Sequence, residues 1–209
     1  VSEQERELIA KNFPHAKNIQ VIPNCINMDD YKDIQVEAKP NTLIFTGSFR
    51  YRANYEAMVW FVRDVFPLIL EKVSDAQLII TGDHADLPLP SNQNVTLAGY
   101  VDDIKGLIAS STVALAPLWS GGGTRLKILE AMAIGIPVVA TTKGAEGLDA
   151  QTGEHLFVTD EPGEFAETII KLLTDQNLRQ RLAANASRLV REKYDWAVAR
   201  AVANLNVLS

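Results

Sequence analysis

The stretch Pro117-Leu118-Trp119-Ser120-Gly121-Gly122-Gly123-Thr124-Arg125-Leu126-Lys127-Ile128-Leu129-Glu130-Ala131-Met132-Ala133 holds the densest set of residues suited to chemistry in this chain. Three successive glycines let the backbone come close to a ligand. A helical pattern opens directly behind them, so free N–H groups and the positive end of the helix dipole face the same place. That combination suits phosphate or another anion. At 100° per residue Gly123, Lys127 and Glu130 fall within about 40° of one another, while Leu126, Leu129 and Ala133 form the face expected on the core. Glu130 lies about 10 Å along the axis from Gly123 and leans back toward the helix start. A carboxylate there can grip sugar hydroxyls of a nucleotide whose phosphates rest on the glycines. Taken alone, the glycine run equally fits a plain loop, and Lys127 with Glu130 an exposed i,i+3 pair.

Other turns of interest come directly after short apolar runs. Thr46-Gly47-Ser48-Phe49-Arg50-Tyr51-Arg52-Ala53-Asn54 offers a glycine for close approach and two arginines that either pair with phosphate oxygens or stand solvated. Leu97-Ala98-Gly99-Tyr100-Val101-Asp102-Asp103 puts main-chain groups where a flat base can rest, with Asp102 or Asp103 expected to cap the next helix. In Thr81-Gly82-Asp83-His84 the histidine is expected to be structural or solvated. The dinucleotide fingerprint G-x-G-x-x-G, the P-loop, the G-x-S-x-G elbow and H-E-x-x-H are all absent. His15, His84 and His155 have no metal-ligand spacing, so no metal site is expected.

These turns need a scaffold, and the pattern supplies one. Short Val/Ile/Thr-rich runs alternate with segments of helical period, as in a parallel sheet covered on both faces. Strands are predicted at Asn18–Ile22, Thr42–Thr46, Gln77–Thr81, Val95–Leu97, Thr112–Ala116, Pro137–Thr141 and His155–Val158. Helices are predicted at Ser2–Phe13, Asn54–Val73, Ile104–Ser110, Thr124–Ile134, Glu164–Thr174, Gln176–Tyr194 and Trp196–Leu208. The segment Ala85–Asn94, with two prolines, reads as a surface loop. The fold class is α/β, a doubly wound Rossmann-like parallel sheet, expected as one domain over residues 1–209.

Composition narrows the class further. The chain has 209 residues, 47% of them hydrophobic, enough to bury a sizeable core. A net charge of -6 gives no basic footprint, so nucleic acid is not an expected partner. The single cysteine, Cys25, forms no internal disulfide and fits a reducing compartment. No apolar run approaches the roughly 20 residues of a membrane span. A cytoplasmic location is expected, with peripheral contact at the inner face of the membrane left open.

The ordered segments Val21-Ile22-Pro23-Asn24, Phe45-Thr46-Gly47-Ser48, Leu97-Ala98-Gly99-Tyr100-Val101-Asp102 and Gly122 through Val139 resemble the C-terminal, donor-binding half of the retaining GT-B glycosyltransferases, group 1 (family 4), over about residues 1–195. The resemblance implies a nucleotide-diphosphate sugar donor, UDP- or GDP-linked, as substrate, with no metal or other cofactor. It implies that Glu130 holds the ribose hydroxyls, that backbone at Gly123 and Thr124 cradles the diphosphate, that Tyr100–Val101 meets the base, and that the Gly47–Ser48 loop faces the cleft. It also implies an N-terminal domain, absent here, that receives an acceptor glycan or lipid-linked sugar.

Three positions depart from the family pattern. Gly122 stands where many relatives carry a second glutamate touching the donor sugar. Ser48 and Ala53-Asn54 stand where relatives carry an arginine and a lysine, leaving Arg50, Arg52, Arg125 and Lys127 as candidate replacements. Cys25 replaces the glycine after Pro-Asn. The expected donor-binding set is Gly47, Ser48, Arg52, Tyr100, Val101, Gly122, Gly123, Thr124, Arg125, Lys127 and Glu130, with no residue named as acid or base. Retaining transfer to an acceptor hydroxyl is the function implied, of hexosyltransferase type and weak or absent in this chain alone. Competing readings are a non-catalytic module that binds nucleotide sugars beside a partner chain, docking through Trp196, Val198, Val202, Leu205 and Leu208, and a nucleotide-sugar epimerase.

Overall fold

A computed structural model of the chain describes residues 3–16, 19, 21, 24–34, 36–122 and 125–200. Helix α1 (Glu3–Asn12) and a 3-10 turn (Met28–Tyr31) precede a six-stranded sheet: β1 (Thr42–Thr46), β2 (Gln77–Thr81), β3 (Val95–Gly99), β4 (Val113–Ala116), β5 (Val138–Ala140) and β6 (Phe157–Val158). Every pairing is parallel and the order is β3-β2-β1-β4-β5-β6. The sequence order therefore reverses between β1 and β4, which pair through Leu43 with Val113 and Ile44 with Ala114. In open sheets of this kind ligands bind outside the carboxyl ends of the strands at such a reversal.

The central strands β1 and β4 read as apolar runs because both faces are covered, whereas the edge strand β3 keeps Thr96 and Leu97 exposed. On one face Leu43, Phe45, Leu78, Ile80, Val113, Leu115 and Val139 pack under α2 (Arg52–Trp60), α3 (Phe66–Leu70) and α6 (Pro162–Thr174). On the other, Ile44, Ala114, Ala116, Val138 and Ala140 pack under α5 (Leu126–Ile134) and α7 (Gln176–Lys193), with Ile108 of α4 (Ile104–Ser110) beside them. Only small or branched residues stand on this second face of β4 and β5, so α5 lies close to the sheet. Gly135 ends α5 at φ 90°, a left-handed conformation that glycine adopts without penalty, and Ile136 N–H then donates to the Ala131 carbonyl at 2.8 Å.

The predicted strands Thr42–Thr46 and Gln77–Thr81 and the helix Ile104–Ser110 have the observed bounds. Asp103 caps that last helix by accepting from Gly106 N–H at 2.9 Å. The predicted helix Asn54–Val73 is instead two α-helices joined by a π-helical turn at Phe61–Val65. Pro67 explains the break: it has no N–H to donate to residue 63, and its ring crowds that carbonyl, so the turn widens. Leu126, expected on the core face, is 45% exposed; Ile128, Leu129, Ala131, Met132 and Ala133 are the buried residues of α5. Strand Asn18–Ile22 falls largely outside the described residues, as do residues 201–208 of the last predicted helix, whose residues 196–200 are helical.

Candidate functional site

The reversal between β1 and β4 brings two loops together. Gly47, directly after β1, has φ +153°, and a Cβ built on it would lie 2.7 Å from Asn54 Nδ2 and 3.0 Å from Lys127 Nζ. The positive φ favours glycine here, and a larger residue would also have to displace the Asn54 amide. Ser48 shapes the rest of the turn: its carbonyl accepts from Asn54 Nδ2 at 2.9 Å, and its hydroxyl donates to the Asp83 carbonyl at 3.1 Å while accepting from Arg50 N–H. The row continues through Gly82, whose N–H donates to the Gly99 carbonyl at 2.7 Å. Gly99 N–H in turn donates to His84 Nε2 at 3.3 Å, a structural task for the histidine.

On the β4 side Arg125 is only 7% exposed, and its guanidinium grips backbone carbonyls of Gly122 (3.2 Å), Gly121 (3.1 Å) and Lys143 (3.4 Å). The arginine thus holds the glycine loop from behind. Gly121 faces the first loop, since a Cβ there would lie 2.8 Å from the Tyr51 hydroxyl. Arg125 is also the N-cap of α5 and makes no side-chain capping bond, so the helix start is not closed by its own cap. Gly123 and Thr124 lie outside the described residues.

At the second position of α5, Lys127 reaches toward β1. Its ammonium donates to Asn54 Oδ1 at 3.1 Å and lies 4.1 Å from the centre of the Phe45 ring. Burial, with the Arg125 charge adding to it, lowers its pKa from the ordinary lysine value to about 7. Glu130, a further turn on, accepts from the Tyr31 hydroxyl at 3.2 Å. Burial raises the Glu130 carboxyl above the usual range, opposed by the Tyr31 bond and by Lys105 and Lys127. Lys105 Nζ sits 4.6 Å from the centre of the Tyr31 ring and donates to the Asp30 carbonyl at 3.0 Å. Tyr31 and Lys105 thus back the carboxylate from the 3-10 turn and from α4.

Of the residues singled out from sequence, Gly47, Ser48, Gly122, Arg125, Lys127 and Glu130 belong to this junction. Val101 leads into α4, which carries Lys105. Tyr100 is 87% exposed at the end of β3, two strands away from β1. Arg52 pairs with Glu56 at 2.6 Å on the outer side of α2 and lines a separate groove of about 650 Å³ with Arg50, Tyr55, Trp60 and Arg63. Arg50 pairs with Asp83. Sequence reasoning did not find Tyr31, which lies 99 residues from Glu130 and belongs to no motif. Asn54 was signalled only as a departure from the family pattern. Among the described residues no group of three or more His, Cys, Asp or Glu could hold a metal ion, and no helix is long and apolar enough to cross a membrane.

The architecture is the Rossmann-like domain of the GT-B glycosyltransferases. Anabaena HepE, solved with UDP-glucose, superposes with a TM-score of 0.78 over 100% of this chain and 62% of its own, at 17% identity. The chain belongs to the family glycosyl transferases group 1, whose model matches residues 40–175. Phosphatidyl-myo-inositol mannosyltransferase of Mycobacterium leprae is 32% identical over 190 residues, 85% of this chain and 50% of that protein. An uncharacterized 44.6 kDa protein of the Klebsiella pneumoniae cps region is 26% identical over 165 residues, 73% of this chain and 42% of its own. The chain spans about half the length of the curated relatives it matches.

Proposed function

We propose that this chain is the donor-binding half of a group 1 glycosyltransferase and holds a nucleotide-diphosphate sugar for retaining transfer to an acceptor hydroxyl. The observation that carries the reading is the junction between β1 and β4, where a strand-end glycine, a half-buried lysine, a helix start without a side-chain cap and a half-buried carboxylate come together. Glu130 grips the ribose hydroxyls, and the glycine loop held by Arg125 receives the diphosphate. Cationic side chains and helix N–H groups stabilise the leaving diphosphate in place of a metal. The UDP-glucose bound by HepE and the mannosyl transfer named for the mycobacterial relative support a sugar nucleotide as ligand. Base contacts come from the Tyr100–Val101 segment.

Acceptor glycan or lipid-linked sugar is taken up by a second, N-terminal domain, with the site in the cleft between the two. The protein works in the cytoplasm or at the inner membrane face. Rate enhancement rests on orientation and leaving-group stabilisation. Calorimetric titration of UDP and GDP tests the reading: one of them binds, and Glu130→Ala weakens it by about ten- to a hundredfold, the worth of charge-assisted hydrogen bonds. No binding of either nucleotide overturns it. Measurable sugar transfer by this chain alone overturns the assignment of the acceptor site to another domain.

A further inference from the structure

Lys127 is half-buried, its ammonium end lies against buried Phe45 and Asn54, and the described groups offer it no carboxylate partner. Its hydrogen bond goes to the neutral Asn54 amide and its other contact is the Phe45 ring. The groups facing it from β1 and α2 are uncharged: Phe45, Gly47 and Asn54. On α5 itself Arg125 repels its charge and Glu130 attracts it weakly, while Glu130 is already held by Tyr31 and, from α4, by Lys105. The packed space beside Lys127, walled by Ile44, Thr46, Ile108 and Ile128, amounts to about 10 Å³, no more than one water needs. At Gly47 an added Cβ would stand 3.0 Å from Nζ, so the missing side chain leaves the amine accessible from the backbone of that turn. Asn54, its partner, stands near the place where the family resemblance puts a lysine.

We propose, on the basis of the donor-binding reading, that Lys127 is the countercharge for the donor diphosphate in this chain and takes up a proton from solvent as the diphosphate binds. The free amine accepts the proton at Nζ; the resulting ammonium donates to a phosphate oxygen at the Gly47 opening while keeping Asn54 Oδ1 as its second acceptor. An anion carrying two or more negative charges supplies what the protein withholds, so the ammonium becomes the stable form only in the complex. The depressed pKa of Lys127 in the free protein agrees with this arrangement.

The experiment is calorimetric titration of UDP and of GDP into the intact chain at about pH 8, in HEPES and in Tris, whose ionisation heats differ. Near one proton is taken up per nucleotide bound, and the Kd weakens about tenfold between about pH 8 and 9, where the nucleotide itself is fully ionised. Lys127→Met binds more weakly, with equal heats in the two buffers and a flat pH profile. Lys127→Arg, always charged, binds without proton uptake. Nucleotide binding by the parent chain with equal heats in both buffers overturns the inference and leaves the donor reading standing; uptake that persists in Lys127→Met does the same. Failure of both UDP and GDP to bind overturns the donor reading and the inference with it.

Discussion

The two walls of the β1–β4 junction carry the same kind of charge in opposite settings. On the β1 side Arg50 and Arg52 are exposed and each already has a carboxylate, Asp83 and Glu56. On the β4 side Arg125 is buried and Lys127 half-buried, and their partners are carbonyls, an amide and a ring. An exposed pair gains little, because water screens it and two long side chains must be ordered. A buried cation without a counter-ion is costly, and a fold keeps one where something else offsets the cost. The contrast teaches that arginines next to a strand-end glycine are not automatically the ligand cations.

The contrast can be broken at four points. The largest effect is expected from Lys127→Met without ligand. The lysine is protonated in the unfolded chain up to about 10.5 but in the native domain only up to about 7. The unfolded state thus binds the extra proton between those values, and the parent gains stability as pH rises through that window. The variant's advantage over the parent is therefore greatest at and below about pH 7, where it exceeds the difference near pH 10.5 by on the order of 3–5 kcal/mol. Urea denaturation of both chains across this range measures it, and parallel pH profiles would refute it.

Next comes Arg125→Ala, expected to destabilise by about 2–4 kcal/mol, since three carbonyls lose a charged donor in a buried place. Arg125→Lys recovers little, because one ammonium cannot serve a planar fork of contacts. Limited proteolysis of the glycine loop should accelerate in both variants. Tyr31→Phe is expected to cost about 1 kcal/mol in nucleotide binding, since Glu130 loses the hydroxyl that orients its carboxylate. Calorimetry with UDP and with its 2′,3′-dideoxy analogue checks this: the loss belongs to the ribose, so the analogue should bind both chains alike. Smallest is Arg52→Ala, which should move Tm by no more than about 1 °C and leave nucleotide affinity unchanged. A clear loss of affinity there would return Arg52 to the ligand and erase the difference between the two walls.

Much of the fold was legible in the sequence because its signals are local. Short runs such as Leu43-Ile44-Phe45 between two threonines mark strands covered on both faces, and the periodic run ending at Gly135 marks a helix with its stop. The exceptions also have local causes whose outcome is not local. Pro67 announces trouble for a helix, yet a widened turn and a clean break have the same sequence signature. Leu126 keeps the helical period with Leu129 and Ala133, but as the first residue of α5 it is 45% exposed, while Ile128 and Leu129 in the same turn take the buried positions.

For the candidate site, residue types and chain order determined a great deal by themselves: a strand-end glycine at 47, a glycine loop opening a helix, and a lysine and a glutamate one turn apart behind it. These come from backbone geometry over a few residues. Which cation is buried, which is spent on a carboxylate, and which hydroxyl holds Glu130 was decided only by tertiary structure. Those outcomes depend on the reversal of strand order that seats β4 beside β1, bringing Asn54 within 3.1 Å of a lysine 73 residues away and Tyr31 within 3.2 Å of a glutamate 99 residues away. Burial and counter-charge are properties of that meeting, and no window of sequence contains both sides of it.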